Sequence, residues 1–181
     1  DAKGGQWAKE RDGAGRDSVA WGGDPINAMV INAAGCGSTL VEYGELLKVD
    51  PAWAKRAEAF SAKVTDLVTW LNSSRFVLSG SGEKVNYHDA CHLAHAQGIT
   101  AEPRELVKAK SGGEFVELAE SDLCCGSAGS YNLTEPEMAS RLQKRKAQNI
   151  IDSGAEVVVT TNPGCLLQIQ AGLRKAGAHH I

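Results

Sequence analysis

Five cysteines are the residues of this 181-residue chain that are best suited to do chemistry. Cys124 and Cys125 are adjacent, and the small residues after them predict a turn that aims both thiols at one point. Cys36, Cys91 and Cys165 each follow a short apolar segment typical of a strand. Thiolates are soft ligands, so they select iron–sulfur clusters, zinc or Cu(I) over hard cations.

The spacing of these cysteines leaves several kinds of site open. The compact C-x-x-C-x-x-C run of a bacterial ferredoxin is absent, and so is the paired C-x-x-C arrangement of many zinc sites. An odd number of cysteines excludes a fully paired disulfide framework. From the residues alone, an iron–sulfur cluster is favoured over structural zinc, a thiol–disulfide switch and cysteines without a role in chemistry.

Composition and charge exclude several functional classes. A net charge of −3 without a basic stripe argues against a nucleic-acid partner. No apolar run approaches the roughly 20 residues that cross a bilayer, so no transmembrane segment is predicted and membrane contact is expected to be peripheral. The chain has no dinucleotide-binding G-x-G-x-x-G context. It begins at Asp1 rather than Met, which predicts a piece of a longer protein.

Strand and helix patterns alternate along the chain, which predicts an α/β domain with a mainly parallel sheet and flanking helices. The predicted strands are residues 28–31, 84–88, 115–118 and 157–161. Residues 1–25 predict a helix end and a loop, and Asp50 begins a predicted long helix that continues to Leu71. Ligands bind at the carboxyl ends of parallel strands, so we expect all five cysteines along that edge of the sheet.

Two further helices are predicted in the second half of the chain. One begins near Pro103, and the other extends from a capping box at Thr134–Glu137 to Gly154. The second helix carries three consecutive basic residues that are predicted to lie on its exposed face, namely Lys144, Arg145 and Lys146.

The sequence also contains an internal repeat. A strand, an Asn, a Gly-Cys pair and a helix occur at 30–36 and again at 160–165. The repeat predicts two units, of which the first is truncated. Residues 1–77 form the C-terminal part of the first unit, residues 78–83 form a linker, and residues 84–181 form the second unit.

Three motifs carry a resemblance to a known family. They are Tyr87–Leu93 (YHDACHL), Cys124–Leu133 (CCGSAGSYNL) and Asn162–Gln168 (NPGCLLQ). Together with Asn32–Leu40, they resemble the cysteine-rich CCG domain. That domain occurs in heterodisulfide reductases, anaerobic glycerol-3-phosphate dehydrogenase, lactate-utilisation proteins and glycolate oxidase. The motifs are most similar to those of glycolate oxidase iron–sulfur subunits, and the two units are then two CCG repeats.

The resemblance implies that four cysteines hold one cluster, namely Cys91, Cys124, Cys125 and Cys165. Cys36 is then the last metal ligand of the first repeat. Where the most elaborate family members have a further cysteine, this chain has Gln168. This difference implies a four-thiolate cluster, most simply 4Fe-4S, with zinc as the alternative. His88 and His92 flank the first cysteine and are expected to form hydrogen bonds there rather than to bind metal.

The resemblance also implies a function. The chain is expected to be the iron–sulfur electron-transfer subunit of a glycolate oxidase, an oxidoreductase complex in the cytoplasm or at the inner face of the membrane. Flavin-containing partner subunits with FAD oxidise glycolate, and this chain passes the electrons toward a quinone-type acceptor. The alternatives are a lactate-utilisation or glycerol-3-phosphate dehydrogenase complex, or a structural zinc-binding docking module. Catalysis at the cluster, as in heterodisulfide reductases, is disfavoured by Gln168.

Overall fold

The computed structural model of the chain describes residues 8–11, 17–21, 24–73 and 82–181. The chain divides into two compact units. The first comprises Asp1–Val30 and Thr39–Thr65, and the second comprises Ile31–Ser38 and Asp66–Ile181. Most of the predicted 78–83 linker lies outside the described residues, and the boundaries of the two predicted repeats stay a prediction.

The N-terminal segment contains strands rather than the predicted helix end and loop. Strands β1 (Ala8–Arg11), β2 (Asp17–Trp21) and β3 (Asp24–Pro25) form an antiparallel meander. Strand β4 (Met29–Ile31) confirms the predicted strand at 28–31 and precedes helix α1 (Ala34–Val41).

The predicted long helix from Asp50 to Leu71 is wrong, because a strand interrupts it. Helix α2 (Tyr43–Leu46) is followed by α3 (Ala54–Ser61), strand β5 (Val64–Asp66) and helix α4 (Leu67–Ser73). Strand β5 pairs with β4. Val64 and Thr65 are β-branched residues, which favour strands. The spacing of apolar residues that predicts a helix contains no information about a strand partner that is distant in sequence.

A parallel strand pair lies in the second unit. Strand β6 (Val85–Tyr87) pairs with β7 (Val157–Val159), with Val85 opposite Val157. The predicted strand at 115–118 is reduced to an isolated bridge between Phe115 and Val85. The helices of this region are a π-helical turn (His92–Ala96), α5 (Ala101–Lys110), α6 (Tyr131–Thr134), α7 (Pro136–Ser153) and α8 (Pro163–Lys175). The predicted α/β fold class is confirmed.

Helix α7 provides one face of the core in the second unit. It ends at Gly154, whose φ of 68° is the left-handed conformation expected there. The predicted capping box is wrong, because no side chain caps the helix start. Its buried residues follow each other at helical spacing: Ala139, Gln143, Lys146, Ala147 and Ile150. The predicted exposure is therefore correct for Lys144 and Arg145 but wrong for Lys146, which is fully buried.

The hydrophobic core of the second unit includes two of the five cysteines. Cys125 and Cys165 pack in one cluster with Leu93, Ile150 and Leu173. A core that contains thiols rather than only aliphatic side chains has soft ligand atoms shielded from water. None of the helices among the described residues is long and apolar enough to span a membrane.

Candidate metal centre

Two of the cysteines lie where chain segments leave the parallel strand pair. After β6 the chain passes through His88 and Asp89 to Cys91, which directly precedes the π-helical turn. After β7 it passes through Asn162 to Cys165, the third residue of α8. Adjacent parallel strands end at the same edge of the sheet, so both turns open toward one region.

The Cys124-Cys125 turn depends on the glycine that follows it. Gly126 has a φ of 90°, which favours glycine, and its backbone packs directly on α7. A Cβ atom at this position would lie 2.5 Å from the carbonyl oxygen of Ala139. The turn can therefore place both thiols beside α7 only because residue 126 is glycine, which has no Cβ atom.

The structure brings four thiols together: Cys91, Cys124, Cys125 and Cys165. The side chain of Cys124 interacts with those of Cys125 and Cys91, and the side chain of Cys125 also interacts with that of Cys165. The pKa of Cys124 is lowered because Cys125 and Cys91 donate to it, and the pKa of Cys165 is lowered chiefly by Cys125. The pKa of Cys91 and that of Cys125 are raised, in each case chiefly by the hydrogen bond with Cys124.

Several N–H groups point at these sulfur atoms. The N–H of Gly126 donates to Cys124 Sγ at 3.3 Å, and the N–H of Ala128 also favours this thiolate. The Nδ2 of Asn162 donates to Cys165 Sγ at 3.3 Å. The turn thus supplies the backbone donors expected of its small residues, and such donors stabilise negative charge on sulfur.

His88 is a buried polar side chain beside two of the thiols. His88 is 1% exposed, and its interaction with the Cys165 thiol helps to lower the pKa of that thiol; neither ring nitrogen has another hydrogen-bond partner among the described residues. One ligand atom each of His88, Cys125 and Cys165 lies within 4.8 Å of the others. A metal centre at this place would give the buried imidazole a further partner besides Cys165.

An ion pair fixes the Cys91 turn against the segment that leads to Cys124. The guanidinium of Arg104 donates to both carboxylate oxygens of Asp89, at 2.7 and 2.6 Å, and to Ser121 Oγ at 2.7 Å. The N–H of Asp89 donates to the carbonyl oxygen of Ser121 at 3.1 Å. Asp89 and Arg104 therefore hold the Cys91 turn against the segment that leads to Cys124.

We expect the Arg104→Met substitution to destabilise the fold by about 3 kcal/mol, because it leaves the buried Asp89 carboxylate without a counter-charge. Lys108→Met is the matched control, since Lys108 lies one turn further along α5 and pairs with Glu117 at the surface. That exposed pair should contribute less than about 1 kcal/mol. Urea denaturation of both variants measures the difference, and equal losses would contradict the role of the buried pair.

Cys36 is placed differently from the other four cysteines. It is exposed, and the sulfur contacts described above do not include it. It is the third residue of α1, as Cys165 is the third residue of α8. This equivalence fits the predicted repeat. The assignment of Cys36 to a separate metal site stays a prediction, as does metal ligation by the other four.

Sequence reasoning missed several residues that support the site. The sequence motif includes Asn162 but predicts no role for it, whereas its amide donates a hydrogen bond to the Cys165 sulfur. Lys146 was assigned to the surface, although its spacing from Gln143 and Ile150 places it on the buried face of α7. The contact of Arg104 with Asp89 joins residues 15 positions apart across a loop, and no local pattern predicts it.

The donor set fits an iron–sulfur cluster. Four soft sulfur atoms converge, which matches the four cysteines that hold 4Fe-4S clusters. The group combines two thiols of lowered pKa with N–H donors, so it is prepared to carry negative charge. Two of these sulfur atoms, those of Cys125 and Cys165, also fit a zinc ion together with His88.

The proteins to which this chain is similar include iron–sulfur subunits, in agreement with a donor set of four thiols. Residues 85–170 match the CCG family model, described as a cysteine-rich domain. The chain is 40% identical over 156 residues to the probable glycolate oxidase iron-sulfur subunit of Bacillus subtilis (strain 168), covering 84% of this chain and 35% of that protein. It is 36% identical over 158 residues to the glycolate oxidase iron-sulfur subunit of Escherichia coli (strain K12), covering 85% and 38%.

A third relative has a different name. Lactate utilization protein A of Oceanobacillus iheyensis is 32% identical over 145 residues, which cover 78% of this chain and 59% of that protein. The chain thus spans little more than a third of the two glycolate oxidase subunits and more than half of the lactate utilization protein. The three sequence motifs, the converging thiols and these matches lead to one conclusion: residues 85–170 of this chain are a CCG cysteine-rich domain, and most of the chain is similar to glycolate oxidase iron–sulfur subunits.

Proposed function

We propose that this chain is part of the iron–sulfur subunit of a glycolate-oxidising complex and that it transfers electrons through a 4Fe-4S cluster. The proposed ligands are Cys91, Cys124, Cys125 and Cys165. The observation that carries the proposal is the convergence of these four thiols in the second unit. The names of two relatives, both iron–sulfur subunits of glycolate oxidase, support the choice of cofactor and complex.

The residues of the site have separable roles in this proposal. The cluster supplies one-electron transfer when it is bound. The four thiols lose their protons and bind iron. Gly126, Ala128 and Asn162 donate N–H groups to sulfur and so stabilise the added negative charge. Cys125 and Cys165 are 2% and 3% exposed, so the surrounding core keeps water from that side of the site.

Substrate oxidation is assigned to other subunits. The sequence has no flavin or nicotinamide fingerprint, so FAD-containing partners would oxidise glycolate and pass electrons to this chain. A quinone-type acceptor at the inner face of the membrane would then receive them. An apolar cavity of about 610 Å³ is compatible with such a ring, since Asn162 lines it and also bonds the Cys165 sulfur.

Anaerobic purification of the full-length subunit tests the cofactor. We expect a brown protein with visible absorption, and with iron and acid-labile sulfide in equal amounts. The Cys36→Ser variant should leave the cluster of the four-thiol site intact, whereas Cys165→Ser should remove it. Iron and sulfide analysis of the three proteins, with EPR spectra of the reduced forms, measures this. Loss of the same EPR signal in both variants would contradict the separate assignment of Cys36.

A structural zinc site is the second candidate function. It is favoured by the proximity of His88, Cys125 and Cys165, since zinc accepts mixed nitrogen and sulfur ligands at this spacing. A colourless protein that contains about one zinc ion and no sulfide would establish this candidate. The proposal that electrons pass through this domain would then be wrong.

A further inference from the structure

A lysine is fully buried on α7, the helix whose Ala147 and Ile150 pack in the same core cluster as Cys125 and Cys165. Lys146 lies in the middle of α7 with 0% of its surface exposed. Lysine is almost never buried this completely unless its charge is offset, because removing an ammonium group from water costs several kcal/mol. Burial lowers the pKa of Lys146, which is the direction that this cost predicts.

The hydrogen bonds of Lys146 connect it to the segment that carries the paired cysteines. Its Nζ donates to the carbonyl oxygen of Glu120, and to that of Ser121 at 3.3 Å. Glu120 has a φ of 51°, a conformation that non-glycine residues rarely adopt. The neighbouring Asn149 donates to the carbonyl oxygen of Ala119 at 3.0 Å. Helix α7 thus binds the backbone of residues 119–121, a segment that ends four residues before Cys125.

These carbonyl groups satisfy the hydrogen-bonding of the ammonium group but do not neutralise it. In the described part of the chain, no salt bridge includes Lys146. Two nearby carboxylates already have other partners, because Arg104 binds Asp89 and Arg145 binds Glu120. The ionisable groups that act on the ammonium group are, in decreasing order, the Cys125 thiol and the carboxylates of Asp122, Glu120 and Asp89.

We propose that Lys146 is the buried counter-charge of the metal centre. Its fixed positive charge offsets the negative charge that the thiolates of Cys124 and Cys125 acquire when they bind metal. This inference rests on the proposed function, in which both cysteines are ligands. Lys146 does not touch the metal; it is a positioning residue that acts through its charge and through the 119–121 backbone. The charge favours the more negative, reduced form of the centre and so raises its reduction potential.

Three variants of the full-length subunit separate charge from hydrogen bonding. Lys146→Gln keeps an N–H donor for the carbonyl oxygens but removes the charge, whereas Lys146→Arg keeps both. Lys144→Gln is the matched control, because it removes the same charge two residues away on the exposed face of α7. Water and salt screen an exposed charge of this kind.

The first measurement is an EPR-monitored redox titration. We expect Lys146→Gln to shift the reduction midpoint of the centre to a more negative potential, and Lys146→Arg and Lys144→Gln to remain near the wild-type value. A Lys146→Gln midpoint equal to that of the wild type would overturn the proposal. An equal shift in Lys144→Gln would also overturn it, since the effect would then reflect net charge alone.

The second measurement uses Zn²⁺ added to the metal-free proteins. We expect Lys146→Gln to bind Zn²⁺ about 10-fold more weakly than the wild type, and Lys146→Arg to bind it almost as tightly. Equal affinities of the Gln and Arg variants would show that the charge has no role. This comparison holds whether the natural metal is iron or zinc, so failure of the proposed electron transfer is distinguishable from failure of the counter-charge role.

Discussion

Replacing Cys124 or Cys125 with serine in the full-length subunit is expected to stop the transfer of electrons from glycolate to the acceptor. A serine hydroxyl is a hard ligand and a poor substitute for a soft thiolate. Both thiols lie at the centre of the sulfur group, each in contact with two other cysteines. Loss of either should remove the cluster and lower the rate of acceptor reduction on the order of 100-fold or more.

Oxidation of glycolate should survive in the same variants. In the proposed function the flavin of the partner subunits removes hydride from glycolate, so that flavin would still be reduced. Rapid-mixing absorbance of the assembled complex measures flavin and acceptor reduction separately. Ser130→Ala is a suitable control, since it changes an exposed side chain of the same loop. Acceptor reduction at the normal rate in Cys125→Ser would show that any cluster here is structural.

The Gly126→Ala substitution is expected to destabilise the second unit by about 3 kcal/mol or more. An added Cβ would lie 2.5 Å from the carbonyl oxygen of Ala139, and backbone of α7 cannot move aside as a flexible side chain could. The φ of 90° adds conformational strain for any residue that has a Cβ. Relief of the clash requires the Cys124-Cys125 turn to move away from α7, so metal binding should also be weakened.

Gly129→Ala provides the matched comparison for this prediction. Gly129 lies in the same loop with a φ of 52°, but a Cβ there meets nothing within 4 Å. It should cost about 1 kcal/mol, from backbone strain alone. Urea denaturation of both variants, followed by titration with Zn²⁺, measures stability and metal binding. If the two variants behave alike, the close approach of Gly126 to α7 is not a determinant of the site.

The sequence by itself determined the fold class and indicated the candidate site residues. Alternating apolar strands and amphipathic helices predict an α/β domain, and the strands at 29–31, 85–87 and 157–159 agree with the apolar segments. Local signals such as Gly154 at the end of α7 were also reliable. These features depend on the chemistry of neighbouring residues, so they can be read along the chain.

Contacts between distant segments were decided only by the tertiary structure. The strand at 64–66 interrupts an otherwise helical pattern because β4 offers it a partner more than 30 residues away. The contact between Arg104 and Asp89 and the burial of Lys146 likewise depend on which groups meet after folding. At residues 64–66 a local helical preference yields to strand pairing, because tertiary context overrides the small free energies of propensity. At Lys146 the partners are the carbonyl oxygens of Glu120 and Ser121, which lie about 25 residues away in sequence.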